Sequence, residues 1–129
     1  MNKQKFEELK TQLFNNDYKQ YDQQWHREDY IIGKSFHKDD NQREEGRAAY
    51  QIIISVYDYT LHPEYFDRIP EQRRNHVGLE VHVDMSRVID ERLELTFDWK
   101  DSDTIEEVEK IAEDYYNAMC EIIPNPRKD

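Results

Sequence analysis

Cysteine is nearly absent from this 129-residue chain: Cys120 stands alone. One cysteine permits no intrachain disulfide, which points to a reducing, cytoplasmic setting. Glycine is almost as scarce, with three residues. That leaves no material for the loops that cradle phosphates, and no P-loop or dinucleotide fingerprint occurs. HExxH and the nucleophile elbow are missing too. The longest aliphatic run is Ile52-Ile53-Ile54, against the ~18–20 apolar residues of a helical membrane span. No stretch has the pattern of a signal peptide. Leu, Ile, Val and Phe together number 28, a share just above the roughly 20% below which disorder is the better expectation. Positive charge is also short. Eighteen Lys and Arg face 29 Asp and Glu, for a net charge of −11. Such a field repels phosphate backbones and anionic lipid and attracts basic partners. Direct nucleic-acid binding and membrane binding are therefore disfavoured, and no motif asks for a cofactor.

What the chain does have is aromatics and pattern. Nine Tyr and two Trp supplement the aliphatic supply, each bringing a large apolar area with a polar tip. The length suits one domain, residues 1–124, with residues 125–129 as a frayed tail.

The clearest pattern runs from Val77 to Trp99. Val77, Leu79, Val81, Val83 and Met85 alternate with Gly78, Glu80, His82 and Asp84. After a short loop, Leu93, Leu95, Phe97 and Trp99 alternate with Glu94, Thr96 and Asp98. Strict alternation marks strands with one dry face and one wet face. The loop between them carries Val88 and Ile89, placed to tuck under the sheet edge.

Two further strands precede this pair. Tyr30 to His37 reads as one, and Gly33 within it indicates a bulge or a close backbone approach. Ala48 to Thr60 reads as a central strand, because both its faces are substantially apolar. The charged stretch Lys38 to Arg47 joins them as a turn or loop, so they pair as an antiparallel hairpin.

Helices bracket the strands. Phe6, Leu9 and Leu13 form one apolar stripe over Asn2 to Phe14, with Asn2 as N-cap and Asn15-Asn16-Asp17 as the stop. Asp103 to Ile123 is a long helix carrying Ile105, Val108, Ala112, Tyr115, Met119 and Ile122 on one stripe. Ile111, Tyr116, Ala118 and Ile123 widen it, and Cys120 flanks it as a small buried residue. Asp103 with Glu106 reads as a capping box, and Pro124 ends the helix. Tyr18 to Asp29 reads as a short helix or irregular segment with Trp25 buried, although its aromatics also suit an edge strand. Leu61 to Asn75, with Pro63 and Pro70, reads as a long loop holding a helical turn. Its Arg68, Arg73 and Arg74 are expected to pair with nearby acids, the alternative being an anion site.

The predicted fold is α+β, in the order α-β-β-β-β-α. An antiparallel sheet of about four strands carries both helices on one face.

Three functional readings follow. In the first, the chain is an acidic protein-binding module that docks on a basic, nucleic-acid-binding protein. Its contacts are Glu106, Glu107, Glu109, Glu113 and Asp114 on the helix, with Glu80, Asp84, Glu94 and Asp98 on the sheet. Rigidly held carboxylates imitate backbone phosphates, and opposite charge speeds encounter. In size and charge the chain is similar to small acidic α+β inhibitors and toxin-neutralising immunity proteins. In the second reading, Glu80, His82 and Asp84, about 7 Å apart along one strand face, bind a divalent metal or form a carboxylate–His acid/base pair. An open sheet face does not exclude water, which weighs against catalysis there. In the third, the chain is a structural or assembly subunit, compatible with a homo-oligomer, with Tyr57 and Tyr59 as interface anchors.

Overall fold

A computed structural model describes residues 1–22, 24, 27–37, 48–85 and 94–122. Helix α1 (Lys3–Asn15) leads into strands β1 (Lys19–Tyr21), β2 (Tyr30–Phe36) and β3 (Tyr50–Asp58). Three 3-10 turns follow, at Tyr59–Leu61, Pro63–Arg68 and Glu71–Arg73, then β4 (Val77–Asp84), β5 (Glu94–Asp98) and α2 (Ile105–Ile122). All five strands form one antiparallel sheet in sequence order. The α+β architecture is the one the sequence predicts, with one strand more. Strand β1 falls where a short helix or irregular segment is expected first and an edge strand second; it is the edge strand that forms. Lys19, Gln20 and Tyr21 are all exposed, so no alternation betrays them. Pairing with Ile31, Ile32 and Gly33 makes them a strand. Asp17, at φ 69°, turns the chain from α1 into β1, in the left-handed region that Asp tolerates better than most residues.

Both helices lie on one face of the sheet. From α1, Phe6, Leu9 and Leu13 are buried; from α2, Ile105, Val108 and Ala112. They meet Ile32, Tyr50, Ile52, Ile54, Val56, Val81 and Val83 of the sheet in one core. Tyr115, Tyr116 and Met119 close it, half-buried. Tyr50 is sandwiched between Phe36 (ring centroids 4.9 Å) and Tyr116 (5.1 Å). The aromatics thus supply the volume that scarce leucines do not. Helix α1 is anchored at its start. Asn2 caps it, its Oδ1 accepting from Lys5 N–H at 2.8 Å. Val77 N–H donates to Met1 O at 2.8 Å, and Lys3 N–H to Asn75 O at 3.0 Å.

Several expectations are corrected. Helix α2 is capped by Thr104, whose hydroxyl accepts from Glu107 N–H at 3.1 Å. Asp103 instead accepts from Lys100 N–H at 2.7 Å, so the expected Asp103–Glu106 box is replaced by a cap one residue later. The buried stripe of α2 is narrower than its apolar residues suggest: Ile111, Ala118 and Cys120 are exposed. Two helices sharing one sheet face leave each a single contact stripe. Gly33 forms no bulge, because the ladder runs through it from Lys19 to Ile53. It marks a close approach: a Cβ there would lie 3.3 Å from Ile52 O and 3.9 Å from the Tyr21 ring. The expected loop from Leu61 to Asn75 is present, built on 3-10 turns. No described helix is long and apolar enough to cross a membrane. The expectations for Trp25, loop 38–47, Val88, Ile89, Ile123 and the 125–129 tail lie outside the described residues.

Candidate functional site

The second sheet face, away from the helices, carries the polar residues singled out in the sequence. Strand pairing arranges them in rows. Ile53, His82 and Thr96 form one row. Ser55, Glu80 and Asp98 form the next, and Gln51, Asp84 and Glu94 a third. Diagonal neighbours across such rows are about 7–8 Å apart at Cα, within reach of long side chains. That reach closes a cluster around His82. A Glu94 carboxylate oxygen lies against His82 Nδ1. Glu80 Oε1 stands 2.9 Å from Nε2, and Ser55 Oγ 3.3 Å from the same nitrogen. Thr96 Oγ1 is 3.4 Å from Nδ1.

This face is less wet than alternation implies. His82 and Asp84 are each 8% exposed, and Ser55 is 2% exposed. Ile31 and Ile53 are buried beside them. Alternation reports which way a side chain points; depth depends on what surrounds it. Burial pushes the Tyr57 phenol up, with the Glu80 and Glu28 charges adding and a hydrogen bond with Ser55 opposing. Tyr57 therefore stays a neutral phenol on this face.

Glu94, His82 and Ser55 stand in the order carboxylate, imidazole, hydroxyl. That is the order of a nucleophilic triad, and Ser55 is a member the sequence reading missed. Only the register, which sets β3 beside β4 across 27 residues, brings it to His82. Glu80, however, holds Nε2 more closely than Ser55 does, and at 2% exposure Ser55 offers a substrate no approach. Each ring nitrogen of His82 faces a carboxylate directly, so the side chains close on one another and do not diverge around a cation. Among the described residues, no three His, Cys, Asp or Glu are arranged to hold a metal ion. The geometry is that of a fixed hydrogen-bonded cluster that anchors Glu80 and Glu94 to the sheet.

The candidate contact residues divide between two opposite surfaces. On α2, Glu106, Glu107, Glu113 and Asp114 are exposed. Glu109 turns aside: its Oε2 accepts from the Tyr18 hydroxyl at 2.8 Å and lies 3.8 Å from Lys34 Nζ. Glu80, Asp84, Glu94 and Asp98 lie on the far face of the sheet. Of these, Asp84 is buried and Glu80 and Glu94 are engaged by His82.

The ion pairs expected of the loop arginines Arg68, Arg73 and Arg74 are not found among the described residues. Arg74 Nε donates to Ile69 O at 3.3 Å, with the guanidinium 5.8 Å from the Phe66 ring centre.

A second His cluster ties the same turns to the sheet. His62 Nε2 meets an Asp29 carboxylate oxygen, and Nδ1 lies 3.5 Å from Glu64. The hydrogen bond to Asp29 raises the imidazole above its ordinary value; the small burial opposes, and the Asp29 and Glu64 charges add. A raised value stabilises the fold fully below about pH 6.5, the unfolded value. The contribution is lost as pH rises through the folded value. The melting temperature of the protein is therefore expected to exceed that of His62→Asn by more at about pH 6 than at about pH 9. Equal differences at the two pH values would refute the assignment.

Comparison of the chain with family models, with curated proteins and with solved structures finds no match.

Proposed function

We propose that this chain is an acidic protein-binding module, of the inhibitor or immunity type, that docks on a basic, nucleic-acid-binding protein. The observation that carries this reading is the outer ridge of α2. Glu106, Glu107, Glu113 and Asp114 are exposed there, on a helix whose single basic residue, Lys110, sits 3.3 Å from Asp114. The ridge is rigid, because Ile105, Val108 and Ala112 fix the opposite side of the helix in the core. A fixed row of carboxylates presents to a cationic groove what a phosphate backbone presents, and the net charge of −11 draws a basic partner in. Glu109, held by Tyr18 and Lys34, serves the fold, and Asp98 belongs to a separate surface. The enclosure of the Ser55 hydroxyl counts against a nucleophilic role for the His82 cluster.

The test is affinity capture of the partner at low salt, followed by titration of the purified pair. The triple variant Glu106→Gln, Glu113→Gln, Asp114→Asn is expected to weaken binding by about tenfold or more at low salt and to flatten the salt dependence. Unchanged affinity with an unchanged salt slope overturns the reading.

A further inference from the structure

The sheet face away from the helices is indented at one end. A groove of about 380 Å³ opens there between Tyr57 and the 3-10 turns, within the roughly 300–1,000 Å³ typical of small-molecule sites. Its floor is Gly78, opposite Tyr57 in the β3–β4 ladder. A Cβ on Gly78 would lie 3.7 Å from Tyr57 Cβ, an ordinary contact, so the backbone does not demand glycine. What the glycine supplies is room.

Charges of both signs line this space. Arg73 closes the last 3-10 turn, which is fixed by Arg73 N–H on Pro70 O at 2.8 Å and His76 N–H on Arg73 O at 3.0 Å. Beside it, the His76 and Tyr59 rings lie 6.2 Å apart. Glu80 and Asp98 are register partners on β4 and β5 and line the same groove. Arg73 nonetheless makes no ion pair with either, nor with any other described residue. Asp98 likewise has no ion pair or side-chain hydrogen bond among the described residues. The Arg73 guanidinium and the Asp98 carboxylate thus face one space without meeting across it, with Glu80, one oxygen of which is held 2.9 Å from His82 Nε2, beside them.

A ligand that completes this arrangement carries both charges. A simple anion reaching Arg73 meets the field of a −11 protein. A simple cation between Glu80 and Asp98 leaves Arg73 facing it. A zwitterion avoids both costs. Guanidinium forks match carboxylate geometry, and tyrosine faces and carboxylates together suit an ammonium.

We infer that the groove binds a free α-amino acid, its carboxylate on Arg73, its ammonium at Glu80 and Asp98, and its side chain against Tyr57 and Tyr59. The inference uses none of the α2 carboxylates, so it stands or falls separately from the docking reading.

The experiment is a titration of the full chain with each proteinogenic amino acid, followed by amide chemical shifts. At least one is expected to move the resonances of Tyr57, Gly78 and Asp98 in a saturable way. For that amino acid, N-acetylation or conversion to the carboxamide should each weaken binding by about tenfold or more. Arg73→Gln, on an exposed turn, should do the same, and Gly78→Ile should abolish binding by filling the floor. Should Gly78→Ile fail to fold, Arg73→Gln and the two derivatives carry the test. No shift with any amino acid at millimolar concentration overturns the inference. So does full affinity for the carboxamide, which would make the groove an amine site, or full affinity in Arg73→Gln.

Discussion

Phe6→Ala is expected to cost about 3–5 kcal/mol, the usual range for emptying a fully buried aromatic position. Phe6 is 0% exposed and stands between α1 and the sheet. The ammonium groups of Lys3 and Lys10 lie 5.7 and 5.3 Å from its ring centre, so their stems cap the ring's outer side. It belongs to the same core as the ladder residues Ile32, Ile54 and Val56, which leaves the site little freedom to collapse around a void. A domain of this size has a total stability of about 5–15 kcal/mol, so one substitution removes a large fraction of it. In thermal terms the loss corresponds to roughly 10–20 °C. Phe14 provides the internal control, being on the same helix and 41% exposed. Phe14→Ala is expected to cost under about 1 kcal/mol. Urea denaturation of both variants measures the contrast. Comparable losses would mean that α1 does not pack as described.

Asp58→Ala ranks second, at about 2–4 kcal/mol. Asp58 ends β3 and is 1% exposed. Its carboxylate takes the Lys3 ammonium and the Thr60 hydroxyl, and caps the first 3-10 turn by accepting from Thr60 N–H at 3.0 Å. Its own N–H donates to Asp29 Oδ2 at 2.7 Å. One side chain thus joins α1, β3 and the turns. Its removal leaves the Lys3 ammonium, among the described residues, with Glu7 as its ion-pair partner at 3.4 Å. The pH dependence carries its own sign. Burial alone would raise the carboxyl, but the hydrogen bonds from Lys3 and Thr60, with the Lys3 charge, outweigh it and hold the group below its ordinary value. A depressed value stabilises the fold above about pH 4 and loses that effect as pH falls through the folded value. The protein should therefore lose stability on acidification more steeply than Asp58→Asn does, opposite in direction to the His62 effect. Parallel acid titrations of the two proteins, followed by circular dichroism, decide it. Superimposable curves would remove Asp58 from the account.

Local periodicity made much of this fold readable. The stripes Phe6-Leu9-Leu13 and Ile105-Val108-Ala112, and the alternations of β3 and β4, are each short-range patterns that burial reproduces. What failed to show was whatever depends on distant neighbours. Strand β1 has three exposed residues and exists because β2 offers it an edge. Cys120 and Ile111 look like core on a helical wheel, yet face outward, because a helix sharing a sheet with another buries only a narrow stripe. Ser55 reaches His82 through a register that no local pattern encodes. Arg73 looked like a partner for the acidic surfaces; it lines a groove with Glu80 and Asp98, yet among the described residues it makes no ion pair with either. The candidate groove was invisible for the same reason: its members come from β3, β4, β5 and the turns.

The anchoring of the chain's first residues alongside residues 75–77 has a consequence for the order of events in folding. Hairpins between sequence neighbours close short loops, so β2–β3 and β4–β5 can form early. Docking α1 must instead bring together positions separated by some three-quarters of a hundred residues, and closing so long a loop is entropically the costlier step. Helix α1 is then expected to dock late and to detach early. Its amides are expected to exchange with solvent through a partial opening that leaves the β2–β3–β4 ladder intact, while those of β3, paired on both sides, should wait for the whole molecule to unfold.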